Sequence, residues 1–87
     1  MYTVYVLYSD KYDKIYIGYT SDLQSRLLSH NVVSKNTFTS KYRPWIVVYT
    51  EGHTMKKDAM VREKQLKTAA GRKYIRQLIH EKNKKEE

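Results

Sequence analysis

Five side chains in this sequence have the types and spacing to act on a phosphate: Tyr5, Tyr16, Arg26, His30 and Glu63. An arginine holds a phosphate through two parallel hydrogen bonds, and a histidine moves a proton near neutral pH. Arg26 and His30 are four residues apart, so one helical turn sets them on the same side. Met55, Ala59, Leu66 and Ala70 follow one helical stripe, and Glu63 borders it, four after Ala59 and three before Leu66. A carboxylate desolvated there without a cation costs on the order of several kcal/mol. Arg62 or Lys67 can supply that cation. So can a divalent metal, since Mg2+ commonly takes one or two protein carboxylates and completes its shell with water and phosphate. The spacing leaves these options open.

Each residue alone has a plainer reading. Nine tyrosines must coincide somewhere in a chain of 87 residues, and an Arg-x-x-x-His pair suits any exposed amphipathic helix. Together they form a kit for phosphodiester hydrolysis: cations to stabilise charge on the phosphate and a proton acceptor to activate water. Other chemistries are poorly served, because there is no cysteine, no glycine-rich phosphate loop and no three-ligand zinc cluster.

The elements that must position these groups follow from the patterning. Tyr2–Ser9 is rich in β-branched and aromatic residues and predicts a strand. A polar hairpin loop at 10–14 leads to a returning strand at 15–20. Alternation sets Val4 and Val6 on one face and Thr3, Tyr5 and Leu7 on the other. If Ile15 and Ile17 join the first face, Tyr5 and Tyr16 share the second, with Gly18 leaving room beside them. A helix follows, with Ser21 as N-cap, Gln24 completing a capping box, and Leu23, Leu27 and Leu28 as its apolar stripe. Residues 31–43 have no clear period and predict a loop. A third strand is expected at 45–51, after Pro44. A second helix should run from about Thr54 to Ala70 with Gly71 as its stop, and a third over 73–80 with Tyr74, Ile75, Leu78 and Ile79 inward. The fold class is α/β of the α+β type: a small three-stranded antiparallel or mixed sheet flanked by helices, in the order β-β-α-β-α-α. One domain over 1–80 and a frayed tail over 81–87 complete it.

Seventeen Lys and Arg against nine Asp and Glu give a net charge of +8, which points to an anionic partner and first to nucleic acid. Between 56 and 76 there are eight Lys or Arg and two acids, a plausible phosphate-facing surface. Lys35, Lys41, Arg43, Lys56, Arg62 and Lys67 are the candidate contacts. Exposed aromatics such as Phe38 and Tyr42 suit base stacking. No apolar run approaches the ~20 residues that span a bilayer, and the amino end lacks the pattern of a signal peptide. An intracellular, cytoplasmic location away from membranes is the expectation.

The residues also resemble a known family. Thr3-Val4-Tyr5, Tyr16-Ile17-Gly18, "DLQSRLLSH" with Arg26 and His30, "FTSKYRPW" and "DAMVREKQLK" with Glu63 stand in the order and spacing of the GIY-YIG endonuclease superfamily. The likeness is to its small single-domain members, related to the amino-terminal nuclease domain of the excision-repair endonuclease, and it runs from Tyr2 to about Leu78. Thr3 and Val4 depart from the Gly and Ile of the family's name, at positions without a chemical role. The resemblance implies a metal-dependent DNA endonuclease. Tyr5 would be the general base, Tyr16 would assist by hydrogen bonding, and Arg26 would contact the phosphate. His30 is used in some branches, and Glu63 would bind a single Mg2+ or Mn2+. A tyrosine hydroxyl titrates near 10, so such a base needs positive neighbours, for which Arg26, His30 and the metal are the candidates. Branched, nicked or single-stranded DNA are the candidate substrates, with a partner protein as a further source of specificity. The alternative is a basic nucleic-acid-binding module of the same fold with little or no catalysis.

Overall fold

The strand with the most apolar alternation becomes the centre of the sheet. In the computed structural model, which describes residues 1–33 and 38–86, β1 (Tyr2–Ser9) lies between β2 (Lys14–Thr20) and β3 (Ile46–His53), antiparallel to both. All pairings are therefore antiparallel. A bulge between Val6 and Leu7 shifts the β3 register, so Val6 faces Tyr49 while Leu7 faces Val47.

Both faces of β1 are covered, which is why it carries apolar residues at successive positions. Val4, Val6, Ile15 and Ile17 pack against Ala59 and Leu66 of α3 (Lys56–Leu66) and Ile75 and Ile79 of α4 (Ala69–Glu86). Tyr5, Leu7 and Trp45 form a second cluster on the opposite face, joined by Tyr16 and by Leu23 and Leu27 of α1 (Leu23–Leu28). The alternation expected for the hairpin strands is thus observed. Burial of a side chain such as Leu66 or Ile75 contributes about 1.5–3 kcal/mol, so these two clusters hold the sheet between its helices. The hairpin turn is tied to α4: Arg76 Nη1 and the Tyr8 hydroxyl both donate to Asp13 Oδ1, at 2.9 and 3.0 Å.

Several local expectations are corrected. Asp22, not Ser21, caps α1, because its carboxylate accepts from both the Ser25 amide (3.2 Å) and the Ser25 hydroxyl (2.9 Å). Leu28, Met55, Ala70 and Tyr74 face solvent rather than the core. The segment read as a loop contains a π-helical turn, Ser29–Val33, and a short helix, α2 (Phe38–Lys41). The long second helix breaks at Lys67–Thr68, three residues before the glycine expected to end it. Thr68 makes the break: its hydroxyl donates to the Gln65 carbonyl (2.7 Å) and accepts from the Gly71 amide (3.1 Å). Gly71 sits in the first turn of α4, where a Cβ would meet Leu66 Cα and its carbonyl oxygen at 2.5 and 2.6 Å. It permits close approach of two helices and does not stop one. The helical backbone of α4 reaches Glu86, covering most of the segment expected to fray. Lys35 lies outside the described residues. No helix among the described residues is long and apolar enough to cross a membrane.

Candidate active site

The site is built on the cross-strand pair Tyr5 and Gly18. With no side chain at Gly18, the Tyr5 ring lies across it; a Cβ there would stand 2.6 Å from the Tyr5 hydroxyl. The hydroxyl then reaches His30 Nε2 at 3.0 Å in the buried interior. Tyr16 packs against both, with ring centroids 6.4 Å from Tyr5 and 4.7 Å from His30.

His30 is carried by the π-helical turn and not by regular α-helix. The widened turn parts it from Arg26: the imidazole is 7% exposed, while Arg26 remains on the surface. That turn is clamped from the chain before β3. Arg43 Nε donates to the His30 carbonyl at 2.7 Å, and Asn31 exchanges hydrogen bonds with the Trp45 backbone at 2.7 and 3.1 Å. Spacing does not single out Asn31, because only the fold brings it to Trp45. An asparagine after a helix is too common to mark a site by itself.

A cleft of about 420 Å3 follows β2 from Ile17 to Ser21 and is lined by Tyr5, Tyr16, Arg26, Lys56, Glu63 and Lys67. Four of the five expected catalytic residues thus meet in one depression, and the fifth, His30, bonds to Tyr5 behind it. Glu63 is mostly shielded and pairs with Lys67 Nζ at 2.8 Å, so among the candidate cations it is Lys67 that sits on this carboxylate. Arg62 is turned elsewhere, to Glu51 at 3.1 Å and Gln65 at 3.3 Å. Lys41 lies over the Tyr42 ring, away from the cleft's lining residues. Of the basic residues expected at a nucleic-acid surface, Lys56 and Lys67 line the cleft.

The electrostatics of Tyr5 differ from expectation. Burial, followed by the neighbouring Tyr16, pushes its hydroxyl well above the ordinary tyrosine range; Arg26 opposes the shift and Glu63 adds to it. His30 supplies no positive field, because burial, and then Arg26 and Arg43, lower its pKa and keep the imidazole neutral. The pair is a protonated phenol beside a neutral imidazole. Such a pair can pass a proton from oxygen to nitrogen.

One hard carboxylate oxygen donor at the cleft suits Mg2+ or Mn2+ held together with water and phosphate, and Glu63 is the residue to hold it. Among the described residues no three His, Cys, Asp or Glu side chains gather as a fuller metal cage.

A three-stranded antiparallel sheet with this paired-tyrosine cleft is the arrangement of a GIY-YIG domain, and the chain belongs to that family: the GIY-YIG catalytic domain matches residues 1–76. Its relatives are UPF0213 proteins, a small GIY-YIG family. A UPF0213 protein of Bacillus pumilus is 38% identical over 71 residues, covering 78% of this chain and 72% of its own. UPF0213 protein SH2523 of Staphylococcus haemolyticus is 36% identical over 58 residues, covering 67% and 71%. UPF0213 protein RBAM_000440 of Bacillus velezensis is 36% identical over 75 residues, covering 86% and 75%. No solved structure matches the chain. The family supports an endonuclease-type domain with a nucleic-acid substrate.

Proposed function

We propose that this protein is a metal-dependent endonuclease that hydrolyses phosphodiester bonds of DNA. The observation that carries this reading is the 3.0 Å contact between the Tyr5 hydroxyl and His30 Nε2 at the back of a cleft bearing Arg26 and Glu63. Tyr5 takes a proton from the attacking water while its own passes to His30 Nε2. The phenolate that its burial disfavours need not accumulate. The water oxygen bonds to phosphorus, the P–O bond to the leaving oxygen breaks, and the imidazolium holds the proton. Arg26 binds the non-bridging oxygens, where negative charge grows in the transition state. Tyr16 fixes the orientation of both rings. A divalent ion bound at Glu63 would supply Lewis-acid stabilisation of the phosphate. Lys67 releases Glu63 for that role and turns its ammonium towards the substrate backbone.

The Lys67–Glu63 pair favours a second reading, a basic binding module in which Glu63 is held by lysine alone. Nicking of supercoiled plasmid separates the two. With Mg2+ or Mn2+, the wild type should nick and Glu63→Ala should be slower by about a hundredfold or more, the usual scale for losing a charge-stabilising group. No nicking by folded wild type would favour the binding module, and equal nicking by both proteins would remove Glu63 from the site.

A further inference from the structure

From Tyr16 a line of aromatic rings leaves the cleft. Tyr16 stacks towards Phe38 (centroids 6.5 Å apart, planes at 29°), Phe38 meets Tyr42 at 4.8 Å, and Tyr42 meets Tyr12 of the hairpin turn at 5.4 Å. The far members are open to solvent: Phe38 is 47% exposed and Tyr12 is 41% exposed. Three ammonium groups flank the line. Lys14 and Lys41 each lie 5.4 Å from the Tyr42 ring centroid, and Lys11 lies 5.4 Å from that of Tyr12. Among the described residues no carboxylate forms an ion pair with any of the three. Asp13, the acid that Lys14 feels, is already held by Arg76 and Tyr8.

Packing alone does not account for this. A core aromatic would be enclosed, and a solubilising lysine would gain nothing from gathering with two others around exposed rings. The alternation of apolar ring and unpaired cation matches one ligand chemistry: flat bases joined by phosphates. Every base offers a stackable face and every linkage an anion. In a duplex those faces are hidden in the stack, so rings can meet them only on an unpaired strand.

We propose that Phe38, Tyr42 and Tyr12, with Lys11, Lys14 and Lys41, form a stacking track for an unpaired nucleic-acid strand entering or leaving the cleft. The assignment rests on the nuclease reading for its direction towards Tyr5 and Tyr16. Binding itself does not require cleavage.

The test is therefore run in EDTA, where nothing is cut. Full-length protein is titrated with a labelled single-stranded oligonucleotide, as DNA and as RNA, and with the DNA duplex of the same sequence. A 2-aminopurine probe in the single strands reports stacking. The single strand should bind at least tenfold more tightly than the duplex and quench the probe, and whichever of DNA or RNA binds tighter is the strand the track takes. Phe38→Leu keeps apolar volume but removes the ring, and Tyr12→Ala lies on an exposed turn. Each should weaken single-strand binding by about five- to a hundredfold, the range for losing one stacked base, with duplex binding within twofold. Phe38→Trp should restore quenching. Equal affinity for single strand and duplex, or Phe38→Leu binding and quenching as the wild type does, would overturn the track. Failure of the nuclease reading would show instead as absent plasmid nicking with this single-strand preference intact.

Discussion

The Tyr5–His30 contact ties stability and chemistry to one pair of atoms. His30 has a lowered pKa in the folded chain, so the unfolded chain binds its proton first. The stability this neutral imidazole contributes is fully present above the unfolded value of about 6.5 and is lost as pH falls from there towards the lower folded value. His30→Leu should cost about 1–3 kcal/mol at neutral pH, since it leaves the buried Tyr5 hydroxyl without its partner. The gap between wild type and variant in urea unfolding should narrow below about pH 6.5. A gap that stays constant with pH would mean that His30 titrates in the folded chain as it does in water. Tyr5 behaves oppositely: its raised pKa keeps it protonated when folded, so stability is lost as pH rises beyond about 10, and Tyr5→Phe should flatten that alkaline loss. Gly18 belongs to the same scale. A methyl group there pushes directly on the Tyr5 hydroxyl, and a tyrosine ring has no flexible end to yield. Gly18→Ala should fold and yet lose nicking by about a hundredfold, as expected for displacing a reacting group by about an ångström. Nicking at the wild-type rate would show that the hydroxyl's position over Gly18 is not used.

At the scale of elements, the junction of α3 and α4 decides how Glu63 meets the cleft. Thr68 closes α3, and α4 can start against its last turn because Gly71 has no side chain. In an exposed helix Gly→Ala is stabilising by about 1 kcal/mol. Here the added carbon meets backbone atoms that no side-chain rotation can move, so Gly71→Ala should instead destabilise by about 1–3 kcal/mol, the usual cost of overpacking. For a domain of this size that lowers the melting temperature by about 4–8 °C per kcal/mol. An unchanged or higher melting temperature would show that the junction can open freely. The same junction shows what is legible in the sequence. Period-two alternation places Val4 and Val6 with the isoleucines of β2, and Tyr5 beside Tyr16, because strand geometry leaves no other choice. Spacing of three and four puts Ala59 and Leu66 inward and Glu63 at their border. What stays hidden depends on contacts between distant segments. Gly71 reads as a stop because only the packed structure shows a neighbouring helix beneath it. The π-helical turn escapes a reading by period because Asn31 and Arg43 shape it through Trp45 and the turn's carbonyls, contacts that only the fold creates. Phe38–Lys41 is too short a helix to have a period.

For the molecule as a whole, the net charge of +8 matters less than where it is left unspent. Asp13, Glu51 and Glu63 are engaged by Arg76, Arg62 and Lys67. Lys56 lines the cleft, and among the described residues it forms no ion pair. A lysine placed this way attracts phosphate in solution and holds one on binding, releasing a counterion as it does so. Lys56→Ala should therefore weaken DNA binding whatever the sequence and reduce the slope of log affinity against log salt by about one unit. Lys64→Ala is the control: it removes the same charge from a groove formed with Met60 and Val61, outside the cleft's lining. It should leave the slope unchanged, because only charges in contact with phosphate release counterions on binding. The measurement is a salt titration in EDTA of all three proteins with one oligonucleotide. If both substitutions lower the slope equally, DNA is held by the diffuse positive field of the domain, and the cleft has no privileged claim on the backbone. If Lys56 alone lowers it, the strand passes between Lys56 and Arg26, within reach of Tyr5.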